Sequence, residues 1–296
     1  MKLELLPKES MHDLIIRKID QDTLLMRFNR IRNYTWKQVK HWFRYPMEIV
    51  FWVIMPIIWI VPLFFQGKAL VGGNESEFFK QYTGTGDYFS FVAIGVILWN
   101  IIDSAIWGSG NSLRWEQKSG TFEFLWITPI TRAELLIGAS LGELIWVSFA
   151  STVQFVILTL ILGWSFTFLQ LMLAIVSILV MLISLFGFSF LFAAIILIFK
   201  EPGTLTEITS ASLELLTPMR YPLQRLPIWI RWLGYAIPFS WGYITFRTFA
   251  LTHAIKMGLM QLAILFTMSI LMWFIGARIF TSIEHRCRRV GKLGAY

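Results

Sequence analysis

Asp103 and Asn100 lie one helical turn apart, and Asp103 is the lone charge between residues 88 and 113. An acid in so apolar a run is costly. It faces a polar interior or a neighbouring helix rather than hydrocarbon. Glu143, Glu207 and Glu214 border or interrupt other apolar stretches in the same way. The chemistry open to this set is recognition and hydrogen bonding: lining a polar route, meeting a second copy, or bonding to the next helix. Catalysis has less support. His12, His41, His253 and His285 are scattered without metal-ligand spacing, so no metal site is expected. The lone Cys287 has no partner for an intrachain bridge. No Gly-x-x-x-x-Gly-Lys-Ser/Thr run is present to cradle a nucleotide phosphate.

A second group of functional candidates lies in residues 114–132, where charges mix with aromatics of an exposed type. Gly120-Thr121 breaks one helix and caps the next. Glu123 follows near the positive end of a short helix through about Ile127, and Pro129 stops it. Such a helix, bearing Phe122, Phe124 and Trp126, suits insertion into a groove on a cytosolic partner. It also fits an ordinary interfacial loop, where aromatics are common.

The elements that carry these residues follow from composition. Of 296 residues, 56% are hydrophobic and 15% charged, against about a quarter charged in an ordinary soluble domain. With 26 Phe, 14 Trp and one Cys, the chain is neither a soluble enzyme, a disordered segment nor a disulfide-stapled domain. Residues 49–67 and 257–277 carry no charge, and residues 144–199 form an uncharged run of 56. As one helix that run would extend roughly 84 Å, so it must fold back, with the break at Gly163-Trp164-Ser165. The chain reads as an all-α integral membrane protein. Spans are expected at 47–66, 87–108, 134–162, 166–199, 203–217 and 257–281. The fifth is the least apolar, because it holds Glu207, Glu214 and several Ser and Thr.

Residues 24–45 read as an amphipathic helix lying in the membrane interface. Leu24, Phe28, Ile31, Val39 and Trp42 share one face, while Arg30, Lys37, Lys40 and Arg44 fall opposite. The basic face would meet anionic lipid headgroups or a cytosolic partner. Tyr45-Pro46 ends the helix. The organisation is thus a cytoplasmic segment 1–23, the interfacial helix 24–45, a six-span unit 46–283 and a basic tail 284–296. With both ends inside, nineteen of the 26 Lys and Arg lie on the cytoplasmic side and seven outside. The net charge of +8 therefore reports topology, and nucleic acid is not expected as a partner.

Glu116 followed by Gly120-Thr121-x-Glu123, then Thr128-Pro129-Ile130-Thr131-Arg132-x-Glu134-Leu135, resembles the signature of ATP-binding-cassette type-2 transporter permeases. Tyr221-Pro222, Leu226-Pro227-x-Trp229-Ile230, Pro238-Phe239 and Arg247 resemble that family's segment before the last span. Two departures are Gln117, where the family often has Arg, and Thr217-Pro218-Met219, where Ser-Gly is frequent. The resemblance implies a coupling helix seated on a separate cytosolic ATPase, which would hold ATP and Mg. It also implies two permease copies as a homodimer, a prokaryotic cell (inner) membrane setting, and re-entrant outer helices over 225–237 and 239–251. The residues alone fit those last segments equally as an interfacial hairpin. The function implied is that of a permease subunit in an ATP-driven exporter of lipophilic, amphiphilic or lipid-linked cargo, not itself an enzyme. An ATP-independent secondary transporter or channel is the alternative.

Overall fold

The computed structural model describes residues 24–71, 80–81, 83–84, 86–118, 130–199, 201–252 and 254–289. The architecture is helical. In chain order the principal helices are α1 (Leu24–Phe43), α2 (Pro46–Val71), α3 (Tyr88–Lys118), α4 (Arg132–Leu162), α5 (Phe168–Phe199), α6 (Pro202–Leu216), α7 (Ile228–Ala236), α8 (Pro238–Arg247) and α9 (Ile255–Arg289). Five of them are long and apolar enough to cross a membrane, over 46–67, 88–108, 137–162, 168–196 and 255–283.

The centre of the bundle is α3. Its apolar segment is 78% buried, against 18% for that of α2. Val92, Ile94, Leu98, Ile102 and Ile106 are almost wholly enclosed. Around α3 stand α2, α4, α5, α6 and α8. Asp87 starts α3 by accepting from the backbone N–H groups of Phe89 and Ser90 at 3.0 and 3.1 Å, satisfying donors that a helix start leaves open.

The long uncharged run turns where expected. Gly163 adopts φ +65°, a left-handed conformation that glycine accepts without strain, and closes α4 with a bond to the Thr159 carbonyl. Trp164 is not left at a surface: its indole N–H donates to Ser90 Oγ at 2.6 Å, pinning this turn to the start of α3. α5 then pairs with α9 through two facing glycines. A Cβ on Gly276 would collide with the Gly187 carbonyl, and one on Gly187 with the Trp273 backbone. Close backbone approach through small residues is how apolar helices associate when no hydrophobic drive separates protein from lipid.

Residues 203–217, the expected fifth span, form α6. At 15 residues it extends roughly 22 Å, short of the ~30 Å hydrocarbon layer. Two shorter helices follow. The surface of α7 exposes Ile228, Trp229, Trp232 and Leu233, whereas α8 is buried along most of its length. Pro238 opens α8 at its first turn, where the missing N–H costs nothing.

The expectation for α1 needs correction. The helix forms, but its course is set by α4. Arg30 meets Glu134, Tyr34 meets Gly138, Gln38 meets Gly142, and Trp42 stacks on Trp146 with ring centroids 5.0 Å apart. Each pair is four residues beyond the last on both helices, so α1 and α4 run parallel in a constant register. Gly138 and Gly142 permit this, because a Cβ at either would come within 3 Å of a Tyr34 or Gln38 side chain. Arg30 is therefore on the packed face, not opposite the apolar one. Leu24 and Phe28, on the apolar face expected to lie in the membrane interface, are exposed on the protein surface.

Candidate functional site

Among the described residues, three polar assemblies that join helices bear on the candidate positions. The first ties α1 to the start of α4. Arg30 Nε donates to Glu134 Oε2 at 3.1 Å and Nη2 to Oε1 at 2.9 Å, a two-point fork. Glu134 is 5% exposed. Its carboxylate also accepts from the Thr131 N–H at 2.8 Å, while Thr131 Oγ1 accepts from the Glu134 N–H at 3.2 Å. This reciprocal capping box closes the first turn of α4. One buried carboxylate thus serves as helix cap and ion-pair partner. Thr35 adds a bond to the Gly138 carbonyl at 3.1 Å.

The second assembly ties α2, α3 and α4. Asn100 Nδ2 donates to Gln154 Oε1 at 2.9 Å. Gln154 Nε2 then donates to the carbonyls of Trp52 and Val53 at 3.1 and 3.3 Å. Pro56 has no N–H, so the carbonyl four residues earlier, that of Trp52, lacks its helical donor. Gln154 supplies one from another helix, as a proline inside an apolar helix requires. Asp103 takes a different direction from Asn100, accepting from Ser210 Oγ on α6. Among the described residues Asp103 forms no ion pair. Glu214 pairs with Arg220 just beyond α6, Glu207 is exposed, and Glu143 lies between Trp42 and Gly108.

The third assembly is centred on Arg247, which is 5% exposed at the end of α8. Its Nη1 donates to the Pro218 carbonyl, and its Nη2 donates to the carbonyls of Phe91 and Met219 at 2.8 Å each. The guanidinium carbon lies 3.4 Å from the centroid of the Phe91 ring. Carbonyl dipoles and an aromatic face replace water around the cation. Gly95 makes room, since a Cβ there would collide with the Met219 carbonyl. The residues after α6 are thereby locked to α3 and α8.

A family model described as ABC-2 type transporter matches residues 29–251, a stretch from α1 through the end of α8. The chain belongs to the ABC-2 type transporter family. It is a multi-pass helical membrane permease, of a kind that generally pairs with an ATP-binding-cassette ATPase. No curated protein matches the sequence significantly.

Within this ABC-2 permease, the loop expected to couple to the ATPase is carried by two long helices. α3 continues for ten residues beyond Gly108, and α4 begins five residues before Ile137. Glu116 falls near the end of α3, and Arg132 opens α4. Gly120, Thr121, Phe122, Glu123, Phe124 and Pro129 lie outside the described residues. On α1, Lys37 and Lys40 are exposed, with Nζ over the Tyr34 and Trp36 rings at 5.3 and 5.7 Å. Arg44 is exposed just past the helix. Leu226 ends a short 3-10 turn, Pro227 starts α7, and Trp229 projects from it. Pro238 and Arg247 bound α8.

Glu134, Gln154 and Ser210 join these assemblies although the sequence alone does not mark them as site residues. The Thr131-x-x-Glu134 spacing carried a readable capping signal. Gln154 is, with Gln170, an amide inside the uncharged run and so needs a polar partner, but its target, the carbonyl released by Pro56, is on another helix. Nothing local distinguishes Ser210 from its neighbours.

Proposed function

We propose that this ABC-2 permease is the membrane half of an ATP-driven exporter. It would dock on a separate cytosolic ATPase through the loop between α3 and α4. The reading rests above all on the two helices that carry that loop. The ten residues of α3 beyond its apolar segment add roughly 15 Å to a stiff rod. A push at the loop is then delivered to α3, whose apolar segment is the most enclosed of the five long apolar ones.

In this reading the chain holds no nucleotide. ATP and Mg sit on the partner, and two copies form a homodimer around one route. α6 serves as a short fifth span, giving six spans with both ends in the cytoplasm of a prokaryotic (inner) membrane. α7 and α8 form the re-entrant outer segment. Asp103, Asn100, Glu143, Glu207 and Glu214 supply polar positions near the route, and the cargo is lipophilic, amphiphilic or lipid-linked. Exposed Lys37, Lys40 and Arg44 meet anionic headgroups.

The test is co-expression with a candidate ATPase, purification into lipid discs, and measurement of ATP hydrolysis against a panel of amphiphiles. Co-purification with compound-stimulated hydrolysis is expected. Flux through the purified permease alone would instead favour the ATP-independent transporter or channel.

A further inference from the structure

We infer that the Arg30–Glu134 pair is a positioning latch. It makes α1 and the first turn of α4 move as one body when the preceding loop is pushed. This rests on the reading of the α3–α4 loop as the ATPase docking site. The geometry itself is independent of that reading.

The Glu134 carboxylate has two tasks that a simple cap does not combine. Through Thr131 it fixes where α4 begins, directly after the loop. Through both guanidinium donors it fixes α1 against that same turn. A fork is directional: rotating or sliding one helix against the other breaks both bonds together, unlike a single contact or an apolar patch. The pair is also enclosed, with side-chain exposures of 16% and 6%. Water therefore offers poor compensation when the bonds break. Further along, Gly138 and Gly142 keep the helices close, and Trp42 stacks on Trp146. α1 leads into α2 after a break of two residues, and Gln154 on α4 holds α2 in turn. A displacement at Thr131 is thus handed to α1 and α2 as well as α4.

The experiment compares R30Q, E134Q and the double variant in the permease–ATPase complex. Glutamine at 134 keeps the capping box, because Gln serves there as Glu does, so only the charged fork is lost. Four quantities are read: ATPase retained on purification, unfolding temperature, ATP hydrolysis, and cargo moved per ATP hydrolysed, the cargo probe being the fluorescent amphiphile that most stimulates hydrolysis by the wild-type complex. We expect each single variant to retain the ATPase and to lower cargo per ATP by about fivefold or more, the lower edge of usual intersite coupling. The double variant should be no worse than either single, because a cycle on one shared interaction is non-additive. Unchanged cargo per ATP in the single variants, with the ATPase retained, overturns the latch and leaves the docking reading standing. Multiplicative losses in the double variant also overturn it, since the residues then act separately. If wild-type permease retains no ATPase, the docking reading fails and the latch fails with it.

Discussion

Gln154 Nε2 lies 3.1 Å from the carbonyl oxygen of Trp52, the oxygen that Pro56 deprives of its helical donor. A side chain on α4 thereby completes the backbone of α2, a helix whose apolar segment is otherwise little enclosed.

That relationship predicts that Q154L lowers stability by about 1–2 kcal/mol, because it removes an amide that makes three bonds between helices at roughly 0.6 kcal/mol each. P56A restores the backbone donor. Q154L in a P56A background should therefore cost clearly less than Q154L alone. Unfolding in mild detergent followed by tryptophan fluorescence measures both, and equal costs in the two backgrounds would refute the pairing.

Replacing Arg247 with methionine should be more damaging. The change removes the guanidinium donor from three carbonyls, and hydrogen bonds to charged groups are worth about 1.5–3 kcal/mol each. We expect loss of a monodisperse protein peak on size exclusion, with R247K only partly restoring it, since lysine lacks the planar fork. A fully stable R247M protein would show that the cage contributes little.

D103N should leave the bundle intact, because the asparagine oxygen can still accept from Ser210. Exchanging a charged for a neutral acceptor removes about 1 kcal/mol from any polar contact made with cargo, or about fivefold in cargo-stimulated hydrolysis. The readout is stimulated hydrolysis at unchanged unfolding temperature. Wild-type stimulation in D103N would remove Asp103 from the route.

The double variant F122A/F124A should weaken retention of the ATPase by about tenfold or more, since aromatic anchors dominate interfaces of this kind. Pull-down at graded ATPase concentrations gives the shift. Normal retention would move the docking site away from this loop.

At the α5–α9 crossing, two effects of G276A oppose each other. Alanine gains up to about 1 kcal/mol of helix propensity. The new methyl would meet the rigid Gly187 carbonyl, and overpacking costs about 1–3 kcal/mol. The clash should win, lowering the unfolding temperature. A raised temperature would mean that the two helices separate easily.

Much of this protein was legible in its residues. Charge-free runs located the long helices, and Gly163 marked the turn between α4 and α5, because burial in lipid and left-handed backbone geometry impose local demands. The paired motifs around residues 116–135 and 221–247 pointed to the family. The order of the polar partners was not legible. Asn100 and Asp103 share a helix face in the sequence, yet one bonds to α4 and the other to α6. Arg30 read as part of a basic face, yet it is paired with Glu134, a hundred residues away. An amphipathic pattern states that a face will be covered but not by what. A proline states that a carbonyl loses its donor but not which helix supplies another. Sequence by itself determined where the helices run and which groups could not be left alone. Tertiary structure decided their partners, because that choice depends on which helices can approach closely enough, and the approach is set by glycines far apart in the chain.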